Sequence, residues 1–451
     1  MLDPRQVRAS AERLKEIIRL RKVDPAKADV NRWLALDDRR RALQTEADAV
    51  NSEKKQIAAL GKLDPAGARE KGQALRERTR RLSEEIDAVA AELNRIMEWF
   101  PNFIDPGMPA GAGEEENVEE AVWVPDQGYL EAARLGTGNH SARHMPRSPI
   151  HAEGSFTPVH WAELSERLGG VDARQAGKVS GSRFAYVLGD LAHMQMAIHR
   201  LLTDELLRRG YLPIIPPLLV RERSLFGTSQ FPEGRDQVYE IKTDNVEEPL
   251  PLFLVGSSEP SNFSYFMDRT LSESELPVKV FAATTCFRSE AGSWGKDTKG
   301  IKRVHQFDKI EMNAVTADHQ SAAIYAEFRQ INEWLLQALR LPYRLIDKCT
   351  GDAGYLASYR QRDAEVWMSG SGEFMEVMTD TNTTDYQARR LNIRYRDAAG
   401  RLRYAHTVND TGCAMGRMLI AILDNYQQAD GSVKVPAVLV PLMGKDRLVA
   451  K

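Results

Sequence analysis

Residues 284–311 read TTCFRSEAGSWGKDTKGIKRVHQFDKIE, two strand-like segments joined by a loop rich in glycine and lysine. The first segment leads into Arg288, whose guanidinium can bind a phosphate or a carboxylate through two parallel hydrogen bonds. The second contains Phe307, whose flat ring can stack on a base. The loop adds the positive charges of Lys296, Lys299 and Arg303. The stretch predicts a nucleoside triphosphate site, although its spacing alone fits an ordinary surface hairpin with a charged turn equally well.

Composition sets the broad class of the protein. The chain has 451 residues and a net charge of -3, from 61 lysines and arginines against 64 acidic residues. Its length suggests two or three domains. Near-neutral charge leaves an RNA partner open, because RNA binding depends on where the positive charge lies. The three cysteines form no CxxC pair, no signal peptide begins the chain, and no apolar run reaches the ~18 residues of a membrane span. These features predict a cytoplasmic protein without a membrane segment.

Heptad spacing of apolar residues marks the first part of the chain. One series is Leu36, Leu43, Val50 and Ile57, and a second is Leu75, Leu82, Ile86, Val89, Leu93 and Ile96. Between them, residues 61–67 read GKLDPAG, which favours a turn. Residues 1–105 are therefore predicted to form an antiparallel helical hairpin, a coiled coil.

The same segment is rich in basic residues, among them Arg39, Arg40, Arg41, Lys54, Lys55, Arg69, Lys71, Arg76, Arg78, Arg80 and Arg81. One interpretation is a solvated helical surface balanced by neighbouring acidic residues. The other is an arm that binds RNA phosphates, whose contacts position RNA rather than read its bases.

Residues 106–150 are predicted to be a linker, because residues 107–120 are rich in glycine and glutamate and have no periodicity. In residues 151–451, short strands alternate with helices. Strands are expected at 251–255, 278–285, 304–313, 374–378 and 404–408, and helices at 191–209, 325–339 and 416–426. This α+β pattern predicts a mainly antiparallel sheet flanked by helices. The chain contains neither the Rossmann glycine motif nor a P-loop, and no HExxH suggests a protein-built metal site.

An apolar segment with three prolines, GYLPIIPPLLV, occupies residues 210–220. Proline cannot donate to a ladder of strand hydrogen bonds, so the segment is predicted to be an edge or end strand. Its hydrophobicity fits a plain core strand.

The residues themselves carry a family resemblance. FRSEAG followed by RVHQFDKIE closely resembles motif 2 of the class II aminoacyl-tRNA synthetases, and within them the seryl-tRNA synthetases. Four further segments extend the resemblance to residues 1–439: the start MLDPRQVRAS, the segment WFPNFI at 99–104, the helix 191–209 with the strand 210–220 as motif 1, and residues 416–419, GRML, as motif 3. The resemblance implies a class II catalytic domain in residues 151–451, a tRNA-binding arm in residues 1–105 and a homodimer formed through motif 1.

The resemblance also implies which residues bind ATP and Mg²⁺. Arg288 would bridge the substrate carboxylate and the α-phosphate, Glu290 would accept from the adenine amino group, and Phe307 would stack on adenine. Arg303 would approach the phosphates and Arg417 the γ-phosphate. The remaining positions are Val304 for ATP, Glu376 for Mg²⁺ and Thr379 for Mg²⁺ or ATP.

On the amino-acid side, the resemblance implies Ser257 and Glu259 for the amino group and Glu311 and Thr411 for the serine hydroxyl. Arg288 and Asn409 complete that set. The implied reaction has two steps, in which L-serine and ATP give seryl-adenylate and the seryl group then passes to tRNA-Ser.

One stretch departs from the family. Residues 378–382 read MTDTN where the family commonly reads SSCSN, and Met378 and Asp380 are expected to change volume and charge next to the amino-acid pocket. This raises the alternative of a paralogue that activates another small amino acid or serves a biosynthetic pathway. A non-catalytic RNA-binding relative is a further alternative, but it would be expected to lose Arg288, Glu376 or Arg417, which this chain keeps.

Overall fold

The computed structural model describes residues 1–60, 65–125, 151–154, 156–242, 251–292, 300–354 and 356–450, with the backbone alone for 58–60 and 65–68. The chain forms two compact units, Met1–Phe103 and Ile104–Lys451. Part of the predicted turn, residues 61–64, lies outside the described residues, as do the loop residues Lys296 and Lys299.

The described residues of the first unit form four helices: α1 Pro4–Ala9, α2 Ala11–Leu20, α3 Val30–Leu60 and α4 Pro65–Met97. The first begins where its sequence favours a start, because the Asp3 side chain accepts from the Arg5 amide and Pro4 occupies the first turn. The long helices α3 and α4 contain 31 and 33 residues, so each is about 45–50 Å long at the usual rise per residue.

The two long helices pack through the apolar residues of the heptad pattern. Leu43, Val50, Leu75 and Leu82 form one buried cluster. Across the surface run the ion pairs Arg32–Glu92, Arg39–Glu85 and Glu46–Arg78. Residues later in α3 pair with residues earlier in α4, so the helices are antiparallel. The predicted helical hairpin is confirmed.

The helices of the second unit are α5 Trp161–Arg167, α6 Ala173–Ser180, α7 Gly189–Arg208, α8 Glu222–Gly227, α9 Glu259–Ser264, α10 Ser321–Ala338, α11 Tyr386–Leu391, α12 Met415–Tyr426 and α13 Val440–Met443. Short 3₁₀ helices lie at Glu114–Glu116, Arg235–Gln237, Glu273–Glu275, Asp318–Gln320 and Ala437–Leu439. In the described part of the chain, none of the helices combines the length and apolar character needed to cross a membrane.

The strands are β1 Val118–Trp123, β2 Val171–Asp172, β3 Tyr186–Val187, β4 Leu212–Pro213, β5 Leu219–Arg221, β6 Glu240–Ile241, β7 Leu252–Leu254, β8 Thr270–Ser272, β9 Val278–Phe287, β10 Gln306–Thr316, β11 Tyr343–Asp347, β12 Arg360–Met368, β13 Glu373–Thr384, β14 Arg394–Arg396, β15 Leu402–Tyr404, β16 His406–Ala414, β17 Val433–Lys434 and β18 Arg447–Leu448. Eight of them form one sheet in the order β1-β11-β12-β13-β16-β10-β9-β4. Neighbours are antiparallel except β4 and β9, which are parallel. The predicted α+β fold with a mainly antiparallel sheet is confirmed.

The amphipathic helix α10 covers one face of this sheet over β13 and β16. Its residues Ile324, Phe328, Ile331 and Leu335 are buried at helical spacing and belong to the main core cluster. Helix α12 starts directly after β16, so that residues near its first turn lie at the end of a central strand.

Two segments differ from expectation. Residues 118–123, within the predicted linker, form β1 at the edge of the main sheet. Residues 210–220 do not form one strand, because their prolines divide them into β4 and the start of β5. Strand β4 does lie at a sheet edge, as predicted, and Ile215 is fully exposed, which excludes a plain core strand for this part.

Candidate active site

A cavity opens on the face of the sheet opposite α10, where β9, β10, β13 and β16 lie side by side. It contains about 630 Å³ of space, open solvent at its mouth included. Its lining includes these predicted ATP residues: Arg288, Glu290, Arg303, Val304, Phe307, Glu376 and Arg417. An adjoining cavity shares Arg288, Glu290 and Arg303 and extends to Gly256.

The antiparallel register of β9 and β10 places a cation beside an aromatic ring. Cys286 lies opposite Phe307, and the side chain of Arg288 bends back so that its guanidinium carbon lies 5.4 Å from the centre of the Phe307 ring. The Arg288 Nε donates to the carbonyl oxygen of Gly256 at 3.2 Å. This bond fixes one side of the guanidinium, and the open space beside the ring can take a flat base.

Glu290 and Arg303 lie on either side of the loop that joins β9 to β10, and they form an ion pair of 2.6 Å. Glu290 has φ of 52°, in the left-handed region that is uncommon for residues other than glycine. Backbone strain of this kind clusters at functional sites. The strained residue thus presents its carboxylate at the wall of the cavity, already next to a cation.

A second charged group lies across the cavity. Arg417 Nη1 donates to the Glu376 carbonyl oxygen at 2.8 Å and lies 3.1 Å from Glu376 Oε1. Burial opposes the charged form of Glu376, but Arg417, Lys348 and Arg288 outweigh it, so the pKa of Glu376 lies below its ordinary value. The carboxylate is therefore anionic at neutral pH.

Thr379 does not line the cavity, yet a β-bulge turns it toward Glu376. Residues three apart in a regular strand face opposite sides, but the register of β12 and β13 shifts by one residue between Thr379 and Glu376. The Thr379 hydroxyl donates to Asp363 at 2.7 Å and lies 3.3 Å from Glu376 Oε1. Burial and then Glu376 raise the pKa of Asp363 to about 7.

These oxygens fit a magnesium ion. Mg²⁺ prefers oxygen ligands and is usually held by one or two carboxylates together with substrate phosphates. Glu376, Thr379 and Asp363 present two carboxylates and a hydroxyl oxygen whose proton already points at a carboxylate. Within the described residues, no group of three or more His, Cys, Asp or Glu side chains is arranged to hold a metal ion.

Three of the predicted amino-acid residues meet at the start of α9. The Glu259 amide donates to Ser257 Oγ at 3.2 Å, and Asn409 Nδ2 donates to Glu259 Oε1 at 3.0 Å. Gln387, which the sequence did not single out, donates to the same oxygen at 2.8 Å. Burial and then Glu311 raise the pKa of Glu259 to about 8.

The other predicted pair, Glu311 and Thr411, are direct partners on β10 and β16. Lys309, also missed from the sequence, lies between them. It forms an ion pair with Glu311 and donates to Thr411 Oγ1 at 3.1 Å, and its side chain is 5% exposed. A lysine in a strand usually suggests a solvated face, but Lys309 and Glu311 are two residues apart and must share one face, which was the available signal.

The side chains of Met378 and Asp380 do not face the amino-acid pocket, which corrects the expectation for these two residues. Strand alternation directs them away from the cavity, and Met378 is fully buried in the main core. Asp380 accepts from Arg362 at 3.0 Å, and the Arg362 guanidinium lies over the ring of Tyr325 on α10. The departure therefore changes the packing between the sheet and α10.

Comparisons with known proteins cover the whole chain. Two protein-family models match the sequence. The family described as Seryl-tRNA synthetase N-terminal domain matches residues 1–104, and the family described as tRNA synthetase class II core domain (G, H, P, S and T) matches residues 239–426. A Serine--tRNA ligase of Marinobacter nauticus is 36% identical over 98% of this chain and 99% of its own length. A second, of Rubrobacter xylanophilus, is 36% identical over 99% of this chain and 98% of its own.

The fold is similar to that of a solved enzyme. The crystal structure of seryl-tRNA synthetase from Pyrococcus horikoshii complexed with ATP superposes with a TM-score of 0.89 and 32% identity, covering 100% of both chains.

Proposed function

The chain belongs to the seryl-tRNA synthetase family, and from that premise we propose how its residues divide the work of a serine--tRNA ligase. It is an ATP-dependent enzyme that activates L-serine and transfers the seryl group to tRNA-Ser. The observation that carries the assignments is the cavity on the open face of the sheet, into which the predicted ATP residues converge from separate elements.

The first step joins two anions. A carboxylate oxygen of serine attacks the α-phosphorus of ATP, and the bond to the β-phosphate oxygen breaks to release pyrophosphate. Arg288 holds the carboxylate and the α-phosphate together, because its planar guanidinium offers donors on two sides. The ring of Phe307 takes the adenine on its open side, and Glu290 accepts from the adenine amino group. Such positioning and charge stabilisation supply most of the acceleration in phosphoryl chemistry.

The paired cations of the cavity receive the remaining phosphates. Arg303 and Arg417 are held by Glu290 and Glu376 at 2.6 and 3.1 Å, so their positions are set before ATP arrives. Val304 closes the wall of the cavity beside the base. Preorganised cations of this kind lose little freedom when the phosphate charge develops.

Glu376 and Thr379 would hold Mg²⁺, and Asp363 would accept the hydrogen bond of the Thr379 hydroxyl. When bound, the ion neutralises phosphate charge and bends the triphosphate. Within the chain, Thr379 directs its proton to Asp363 and so leaves its oxygen lone pairs toward the ion, while Glu376 remains anionic beside Arg417.

The amino acid would occupy the pocket between α9 and β16. Its ammonium group meets the Glu259 carboxylate and Ser257 Oγ, its carboxylate meets Arg288, and its hydroxyl meets Glu311 and Thr411. Asn409 holds Glu259 in place through their 3.0 Å hydrogen bond. In the second step the 3'-terminal ribose hydroxyl of the tRNA attacks the seryl carbonyl and AMP leaves.

Residues 1–105 would act as the tRNA-binding arm, and residues 151–451 as the catalytic domain. Arg69, Lys71 and Arg76 are exposed on α4 and have no carboxylate partner among the described residues. Unpaired cations on one helix suit phosphate contacts that position an RNA.

A homodimer is supported by apolar side chains that are exposed in motif 1. Met196, Leu212 and Ile215 are 67%, 58% and 100% exposed. Exposed apolar residues in one region mark interaction sites.

A cytoplasmic location is supported by the three cysteines, which are all free and buried.

The function is tested by ATP–pyrophosphate exchange with serine, alanine, threonine, glycine and cysteine, followed by charging of total tRNA. Serine-dependent exchange and transfer to tRNA-Ser are expected. Exchange with another amino acid, or exchange with serine without charging, would support a paralogue instead. The side chains of Met378 and Asp380, which suggested a paralogue, face away from the cavity, and the full-length relatives favour the serine ligase.

A further inference from the structure

Lys309 is a buried cation between the two residues proposed to bind the serine hydroxyl. Its side chain is 5% exposed, yet it lines the cavity. It forms an ion pair with Glu311, and its Nζ lies 3.1 Å from Thr411 Oγ1. The three side chains therefore form one connected group, and two of them, Lys309 and Thr411, line the cavity.

A shift in strand register brings this group together. Ile310 lies opposite Cys413, but Glu311 lies opposite Thr411, so Gly412 is an extra residue on β16. In a regular ladder Glu311 would face Gly412, which has no side chain. The bulge re-aims Thr411 toward Glu311 and Lys309, as bulges near active sites commonly do.

The chemistry of an ammonium group fixes the direction of the hydrogen bonds. Lysine has three donors and no acceptor, so Thr411 Oγ1 must accept from Lys309. The single hydroxyl proton of Thr411 is then left to donate elsewhere. Glu311, as the anionic partner of the ion pair, offers only acceptors. The pocket thus presents one donor and one acceptor side by side.

We infer that Lys309 is a positioning residue that gives the pocket its selectivity for an amino acid with a side-chain hydroxyl. A hydroxyl can donate to Glu311 and accept from Thr411 at the same time, whereas the methyl group of alanine can do neither. The inference rests on the proposed function, because it takes Glu311 and Thr411 as the side-chain pocket. Sites built to bond a substrate hydroxyl reject analogues that lack it by large factors.

The charge of Lys309 is secure despite its burial. Burial alone would lower the pKa of Lys309, but the attraction of Glu311 outweighs it, so the pKa lies above the ordinary lysine value. Arg288 and Cys286 also act on it, the first lowering and the second raising the pKa. Lys309 therefore remains a donor throughout the working pH range.

The test compares wild-type enzyme with Lys309→Met and Thr411→Val in pyrophosphate exchange with serine and alanine. Both variants should lower the ratio of kcat/KM for serine over alanine at least about 30-fold, mainly through the KM for serine. The KM for ATP should change less than about twofold, since uniform damage to the site would alter both. Because Lys309 acts through Thr411, the double variant should lose little more than either single variant.

Lys279→Met is the matched control. Lys279 lies on the neighbouring strand β9 and pairs with Glu327 at 3.0 Å, away from the cavity. Lys279→Met also removes a lysine–glutamate ion pair within the sheet, although a more exposed one, and should keep the serine-to-alanine ratio. Thr411→Ser, which retains the hydroxyl, should keep most of it as well.

Any of three results would overturn the inference. The first is an unchanged serine-to-alanine ratio of kcat/KM in Lys309→Met. The second is an equal loss of kcat/KM for both amino acids, and the third is fully additive losses in the double variant. If Lys309→Met does not fold, Lys309→Gln replaces it, and an unchanged ratio in Thr411→Val overturns the inference whatever the lysine variants do. Absence of serine-dependent exchange in the wild type would instead refute the proposed function, so the two failures are distinguishable.

Discussion

Asn409 Nδ2 donates a hydrogen bond of 3.0 Å to Glu259 Oε1 and so joins strand β16 to the start of helix α9. Gln387 donates to the same oxygen at 2.8 Å. Both bonds favour the ionised carboxylate, but burial and then Glu311 raise the pKa of Glu259 to about 8. The group is therefore largely protonated near neutral pH, until a cation such as a substrate ammonium enters the pocket.

Serine binding should strengthen as the pH rises. Only ionised Glu259 attracts an ammonium group, and a raised pKa means that this form is gained as pH rises through about 8. We expect kcat/KM for serine in pyrophosphate exchange to rise about tenfold per pH unit below that pKa and then to level off. Glu259→Gln should remove this slope and lower kcat/KM about 10–100-fold.

Two controls belong to this prediction. The KM for ATP should not follow the same slope, and Glu240→Gln, on the exposed side of β6, should keep the wild-type profile. Without serine, the raised pKa of Glu259 favours folding fully below the ordinary glutamate pKa, and this contribution is lost as pH rises toward about 8. If kcat/KM for serine in the wild type does not change with pH, Glu259 does not bind the substrate amino group as proposed.

Removing the Glu376 charge should weaken the response to magnesium. Glu376→Gln keeps the shape of the side chain but loses the anion that lies 3.1 Å from Arg417. We expect about a 10–100-fold lower rate of exchange and a higher Mg²⁺ concentration at half-maximal rate. Glu373→Gln, at the start of the same strand, is the matched control and should respond to Mg²⁺ as the wild type does. Equal Mg²⁺ dependence in both variants would exclude Glu376 as a metal-binding residue.

The arm should affect tRNA and not ATP. Arg69→Ala with Arg76→Ala removes two exposed cations that have no carboxylate partner among the described residues of the hairpin. The KM for tRNA-Ser should rise several-fold, and the slope of its logarithmic dependence on salt should become shallower by about one for each phosphate that is no longer bound. Pyrophosphate exchange, which needs no tRNA, should remain at the wild-type rate.

Arg80→Ala is the control for the arm. Arg80 is already shared between Glu77 and Glu84, both at 2.7 Å, so its charge is balanced within the helix. Its loss should change tRNA affinity much less than the loss of Arg69 and Arg76. If all three arginines contribute equally, local ion pairing does not decide which cations of the arm meet RNA.

The order of Arg288, Glu376 and Arg417 in recognisable motifs was enough to predict that they share a site, and the structure brings them to one cavity. Heptad spacing was likewise enough for the hairpin, because it is a local pattern. Strand β1 was missed because its glutamates look like those of a linker. In the fold, Glu120 is satisfied by Arg329, Arg360 and Arg362, which come from distant segments. Partners of that kind cannot be read from local sequence.

The sequence could not predict which face of the sheet some side chains occupy, because this depends on the strand register. Thr379 and Glu376 share a face only because of a bulge, and Thr411 meets Glu311 for the same reason. A shift of one residue moves a side chain to the other face of a sheet. No local pattern in this sequence predicts the bulge in β13 or the bulge in β16. Lys309 was missed for a related reason, since its burial depends on β9 and β16 as well as on its own strand.

Asp380 was expected next to the amino-acid pocket, but its side chain points to the opposite face of the sheet and pairs with Arg362. Asp380→Ala should leave the kcat/KM ratio of serine over alanine within about twofold of the wild type, measured by pyrophosphate exchange. It should nevertheless lower the free energy of unfolding by about 3–5 kcal/mol, since it breaks a buried 3.0 Å pair with Arg362. Combining Asp380→Leu with Arg362→Met removes both charges and should be less destabilising than Asp380→Ala. After Asp380→Ala the buried Arg362 keeps only Glu120 as a partner, whereas in the double variant no cation remains there and Glu120 keeps Arg329 and Arg360. A tenfold change in amino-acid selectivity on Asp380→Ala would return residues 378–382 to the pocket and revive the paralogue.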